Sequence, residues 1–162
     1  MRDKTQRDIT AVCCVGNYYL SDDGFAIHLF HNLHNMPLPN NVELREFGLI
    51  GFSQFDSVLP CRKLIVADVL KGVGKPGEIF KFDLLNDPPV FCKTILSVHD
   101  FGIMELLDMF RVLCPENFPE EAILFGVEAK IMDQYSTMLS PQLNTALFRV
   151  RKMVLEELGM FF

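Results

Sequence analysis

Two periodicities alternate along the chain. Ile9–Val15 is a short apolar run that stops at Gly16-Asn17, and it predicts a first buried strand. From Gly24 to about Asn35 the pattern turns helical, with Phe25, Leu29, Leu33 and Met36 on one arc. Val42–Phe47 alternates and predicts a second strand, and Phe52–Leu59 reads ambiguously as a short helix. Leu64–Leu70, LIVADVL, is the strongest buried-strand signal, and its single polar residue, Asp68, lies toward its C-terminal end. Lys75-Pro76-Gly77-Glu78 is a turn, because proline presets φ and glycine supplies a positive one. Glu78–Leu84 and Ala122–Val127 then read as strands. Ser97–Leu113 reads as a helix capped by Ser97, with Asp100 three residues on. Ser140–Leu158 is the clearest helix: Ser140 is its N-cap, Pro141 occupies the first turn, and Leu143, Ala146, Leu147, Val150, Val154 and Leu158 form one stripe.

Strands that alternate with helices, and are apolar on both faces, predict an α/β fold. The expected architecture is a three-layer sandwich, a mostly parallel twisted sheet of about five strands flanked by helices, in a single domain over residues 1–162. In such sheets ligands bind beyond the carboxyl ends of the strands, which directs attention to the polar residues there.

Composition narrows the function classes. The 162 residues are 49% hydrophobic and 22% charged, which is a folding composition rather than a disordered one. The net charge of −6 argues against a general nucleic-acid binder, which needs a basic surface. The five cysteines are odd in number and contain no CxxC, so they read as buried or idle reduced thiols rather than as a zinc or disulfide framework. The first ten residues lack the apolar stretch of a signal peptide, and no run nears the ~20 apolar residues that span a bilayer. The expectation is a soluble, cytoplasmic monomer with no membrane insertion.

Asp22 and Asp23 follow the first strand, Asp68 lies near the exit of the central one, and His99 lies at the start of a helix. Only the tertiary fold can gather them. Gathered, carboxylates and an imidazole would make a mixed oxygen and nitrogen site suited to a transition metal. The competing reading for Asp22 or Asp23 is a cap on the helix at Gly24. Two other motifs read as decoys. Gly72-Val73-Gly74-Lys75-Pro76-Gly77 matches a dinucleotide fingerprint, but it leads into a strand instead of a helix. His28, His31 and His34 recur at helical spacing with Asn32 and Asn35, opposite the apolar arc, and read as a solvent face.

In order along the chain, Gly16-Asn17, Asp22-Asp23-Gly24, Leu64–Asp68, Pro76-Gly77, Ser97-Val98-His99, Leu124-Phe125-Gly126 and Leu139-Ser140-Pro141 resemble the [NiFe]-hydrogenase maturation proteases. The resemblance implies an endopeptidase that removes the C-terminal extension of a hydrogenase large-subunit precursor after nickel insertion. It implies that Asp23, Asp68 and His99 grip the nickel, with Asp22 the lesser candidate of the acidic pair, and that other divalent metals can substitute. The chain departs from the family pattern at three places. Cys14 replaces a glycine, Glu46-Phe47-Gly48-Leu49 replaces Asp-Gly-Gly-Thr, and no proline occurs at Val127-Glu128-Ala129. Glu46 is then a further catalytic candidate, in the place of the aspartate. The alternative from another class is a non-catalytic binding protein or chaperone for the nickel-loaded subunit. With the ordinary pKa of histidine at ~6.5 and of aspartate at ~3.9, nickel affinity is expected to weaken below pH ~6.5.

Overall fold

The computed structural model describes residues 8–48, 60–89 and 103–161. Among these described residues five strands form one sheet: β1 (Thr10–Val15), β2 (Val42–Phe47), β3 (Lys63–Leu70), β4 (Ile79–Asp83) and β5 (Glu121–Glu128). Their order is β2-β1-β3-β5-β4. β1 pairs in parallel with β2 and β3, β3 pairs in parallel with β5, and only β4 runs antiparallel, against β5. Among the described residues three α-helices flank the sheet: α1 (Phe25–His34), α2 (Ile103–Leu113) and α3 (Pro141–Glu157). All five expected strands and the first and last helices form within a residue or two of their sequence limits. The proposed start of the middle helix, with Ser97 and His99, and the Phe52–Leu59 segment lie outside the described residues.

Strand alternation divides the core in two. Val12 and Cys14 of β1, Ile65 and Ala67 of β3 and Phe125 of β5 pack on one face against Phe25, Leu29 and Leu33 of α1 and Leu143, Val150 and Val154 of α3. Ala11, Cys13, Val15, Leu64, Val66 and Leu124 face the other way, onto Leu106, Leu107 and Phe110 of α2. Adjacent Cys13 and Cys14 therefore point to opposite sides, as a period of two requires. Both thiols are free and buried, and burial holds both well above the ordinary thiol pKa. Cys61 is pushed up to about 12 for the same reason. As expected of inert core residues, these thiols are poor nucleophiles. Cys92 lies outside the described residues.

The stripe on α3 is buried as its periodicity dictates, apart from half-buried Leu158. Ser140 does occupy the N-cap, but its hydroxyl makes no capping bond and has no partner.

The order of strands places the functional edge. After β1 the chain moves to one side to form β2 and then returns past β1 to form β3. The direction of winding thus reverses between β1 and β3, and the carboxyl ends of those two strands bound a crevice of the kind that holds ligands in α/β sheets.

Candidate active site

Asp68 lies on β3, and Asp23 lies in the turn that follows β1, the two strands that bound this crevice. β1 ends at Val15, and Gly16–Leu20 turns back into a single 3-10 turn, Ser21–Gly24, that feeds α1. The fold-back is tight. Gly16 has φ +157°, and a Cβ there would lie 2.1 Å from the Asp23 carbonyl oxygen. A Cβ on Gly24 would lie 3.1 Å from the Tyr18 Cα. Two glycines are thus required by close backbone approach. The Asn17 amide donates to both the carbonyl and the Oδ2 of Asp23, at 3.1 and 3.2 Å.

Asp68 stands opposite Gly126 in the β3–β5 ladder. Strand alternation puts it on the α2 face, after Leu64 and Val66. Removal from water is the main cause that raises its carboxyl pKa, to about 8; a hydrogen bond from the Val69 amide at 2.7 Å opposes this, and the negative charge of Asp23 reinforces it. A carboxylate that is desolvated and faces a second carboxylate is a site whose electrostatics a cation would relieve. This revises the expectation that Asp68 titrates near ~3.9. Among the described residues no three of His, Cys, Asp and Glu gather in a metal-binding cluster. His99, the third expected ligand, lies outside the described residues, so Asp23 and Asp68 are the two donors on view.

Asp22 does not cap α1. The N-cap of α1 is Gly24, and no side chain bonds there. Asp22 is fully buried and reaches across to a distant loop. Its Oδ2 accepts from the amides of Lys130 and Ile131, each at 2.9 Å, and its Oδ1 accepts from the Ser140 amide at 2.7 Å. It therefore serves the start of α3, where the Ser140 hydroxyl does not.

Glu46 ends up beside the same edge. A cleft of about 440 Å³ is lined by Glu46, Gly48, Ile27 and the Gly16–Tyr19 turn. Tyr18 and Tyr19, which no sequence pattern marks as functional, form an edge-to-face pair there.

Both decoys resolve. The Gly72–Gly74 loop does make an anion nest, but the anion is internal: Glu128 accepts from the amides of Gly72, Val73 and Gly74 at 2.6, 2.9 and 3.1 Å. The chain then enters β4, not a helix. Of the histidines, His31 and His34 are exposed as expected. His28 is not: it is half-buried, its Nε2 lies 2.9 Å from the Thr137 carbonyl, and its ring packs on Tyr18. A carbonyl only accepts, so Nε2 carries the proton.

Comparison with known proteins agrees with this architecture. Residues 27–157 match the family model HycI, described as hydrogenase maturation protease. The hydrogenase expression/formation protein HupD of Thiocapsa roseopersicina is 26% identical over 148 residues, which take in 91% of this chain and 66% of that relative, just under two thirds of its length. Among solved structures, the hydrogenase maturating endopeptidase HybD from E. coli superposes with a TM-score of 0.78 at 24% identity, covering 93% of this chain and 94% of that one. HybD from Thermococcus kodakarensis, a [NiFe] hydrogenase maturation protease, superposes with a TM-score of 0.72 at 18% identity, covering 92% and 98%. With a family model spanning most of its length and a sheet of the same topological class, the chain belongs to the hydrogenase maturation protease family, a family of peptidases.

Proposed function

We propose that this protein is a cytoplasmic, monomeric endopeptidase that removes the C-terminal extension of a [NiFe]-hydrogenase large-subunit precursor after nickel insertion. Asp23, Asp68 and His99 recognise the metal carried by that substrate. The observation that supports this most is the placement of Asp68 on β3 at the switch point with the Asp23 charge close by, where loss of water pushes its carboxyl above the ordinary range. An approaching cation offsets both the desolvation and the repulsion, and Asp68 gives up its proton as the metal arrives. Nickel carried by the substrate is therefore the cargo that the pair is poised to read, and other divalent ions satisfy the same donors. The scissile segment lies in the cleft lined by Glu46 and the Gly16–Tyr19 turn, where Glu46 takes the place of the family aspartate. With Asp68 titrating near 8, metal recognition strengthens from pH 6 to pH 8, a higher window than histidine alone would set.

A second reading, a non-catalytic binding protein or chaperone for the same subunit, is favoured by one observation. The cleft carries Glu46 and Gly48 where the family pattern has an aspartate and a glycine-rich turn. The two separate when the protein is mixed with nickel-loaded precursor and the products are read by mass spectrometry. A released tail, reduced at least tenfold by Asp23→Asn or Asp68→Asn, is the outcome expected of the peptidase. Stable association with no release supports the chaperone. Neither release nor association at pH 6 or pH 8 overturns both.

A further inference from the structure

We propose that Asp22, rather than serving as a spare metal ligand, is a positioning residue that fixes the Asp23 turn in place. The inference rests on the reading of Asp23 as part of the metal-recognition site. Asp22 belongs to the 3-10 turn Ser21–Gly24, so the backbone that presents its carboxylate is the backbone that presents Asp23. Its side chain has no solvent exposure. Its three acceptor bonds all run to residues 130, 131 and 140, more than a hundred positions away in the chain. The Asp22 amide adds a fourth bond in return, to the Ile131 carbonyl at 3.0 Å.

The rest of the turn is tied to the same loop. The Ser21 amide donates to the Ser136 carbonyl at 2.8 Å, and its hydroxyl to the Gln134 carbonyl at 3.1 Å. The Ser136 amide donates to the Tyr19 carbonyl at 3.0 Å. Ser21 holds a left-handed conformation, φ +50°, that a residue other than glycine adopts only when its surroundings over-determine it. On its other side the turn is held by the Asn17 amide, which reaches both Asp23 oxygens described above. Asp23 thus sits between two anchors, Asn17 and the Asp22 clamp. The clamp links the turn to the start of α3 through the Ser140 amide. Asp22→Asn removes the charge and replaces one accepting oxygen by an NH2 group, which meets the Ser140 donor or the Lys130 and Ile131 pair and releases that side.

The test reads position and activity separately. Asp22→Asn is the direct variant. Ser140→Pro is the second: it deletes the donor of the shortest clamp bond at a residue whose φ of −60° already suits proline. Amide hydrogen exchange is measured at Asn17, which reports on Asp23, and at Ile65, which reports on the core. Tail release from nickel-loaded precursor is measured at 20 °C, with Asp23→Asn as reference. If Asp22 positions Asp23, Asn17 loses at least tenfold protection in a folded variant while Ile65 does not, and tail release falls at least tenfold. Unchanged Asn17 protection in either folded variant overturns the proposal, as does equal loss at Asn17 and Ile65, which marks a purely structural role. If Asp23→Asn itself releases the tail at the wild-type rate, the metal-site reading fails instead, and the exchange data still decide whether Asp22 holds the turn.

Discussion

Glu128 illustrates what one side chain does in this fold. It is almost fully buried at the end of β5, and both its oxygens are consumed by three consecutive amides of the Gly72–Gly74 loop. A buried charge is tolerated only when such partners replace water. Glu128→Ala leaves three N–H groups in search of acceptors and is expected to cost about 1–3 kcal/mol, read as a lower urea midpoint at unchanged slope. Gly16 makes the opposite case, in which the absence of a side chain matters. Gly16→Ala would drive a methyl into the Asp23 carbonyl, so it should cost at least about 2 kcal/mol and disturb Asp23 directly. Both the stability loss and the loss of Asn17 amide protection are measurable. The need for Gly16 was legible in the sequence as a turn after a strand. The Glu128 nest was not, because no local pattern connects position 128 to positions 72–74.

At the scale of elements, hydrophobic period specified most of what forms. LIVADVL became a strand buried on both faces, and the α3 stripe faces the core. What the pattern could not show is how the loops between elements meet. By its amphipathic pattern alone, α1 packs on one surface only. Against that rule, the 129–140 loop covers one side of its polar face and takes His28 with it. The three histidines should therefore differ. His31→Gln and His34→Gln should stay within about 0.5 kcal/mol of wild type, as exposed changes do. His28→Ala loses the bond to the Thr137 carbonyl and the contact with Tyr18, and should cost about 1 kcal/mol or more. Thermal denaturation of the three single variants ranks them. Equal effects at all three positions would restore the simple solvent-face reading.

At the scale of the whole molecule, the two edges of the sheet carry opposite electrostatic designs. At the amino end of β3, Lys63 bonds Glu157 of α3 at 2.7 Å and Glu121 of β5 at 3.2 Å, and Lys81 also reaches Glu157. Burial works against both charges of the central pair. The hydrogen bonds between them win, so Lys63 is held above and Glu157 below its ordinary range. At the carboxyl edge, five residues further along β3 or ~16 Å at the usual rise, Asp68 has no cation among the described residues to offset its desolvation. The signs follow from proton linkage. Glu157 binds protons less readily folded than unfolded, so its contribution is present above the ordinary glutamate pKa of ~4.3 and is lost as pH falls below it. Asp68 binds its proton more readily folded, so stability is greatest while it is protonated. It declines from an unfolded pKa of ~3.9 up to about 8, with a limiting slope of about 1.4 kcal/mol per pH unit. In metal-free protein, these two groups should therefore make urea midpoints fall on both sides of an optimum near pH ~4. Asp68→Asn should flatten the alkaline limb and leave the acid limb alone. Glu157→Gln should do the reverse and should not change the rate of tail release, because it lies at the far edge. The two substitutions share no partner, so their effects should add in the double variant. If Asp68→Asn leaves the alkaline limb as steep as in wild type, Asp68 is ionised at neutral pH without cost, and a carboxylate poised to exchange its proton for the substrate's metal is no longer supported.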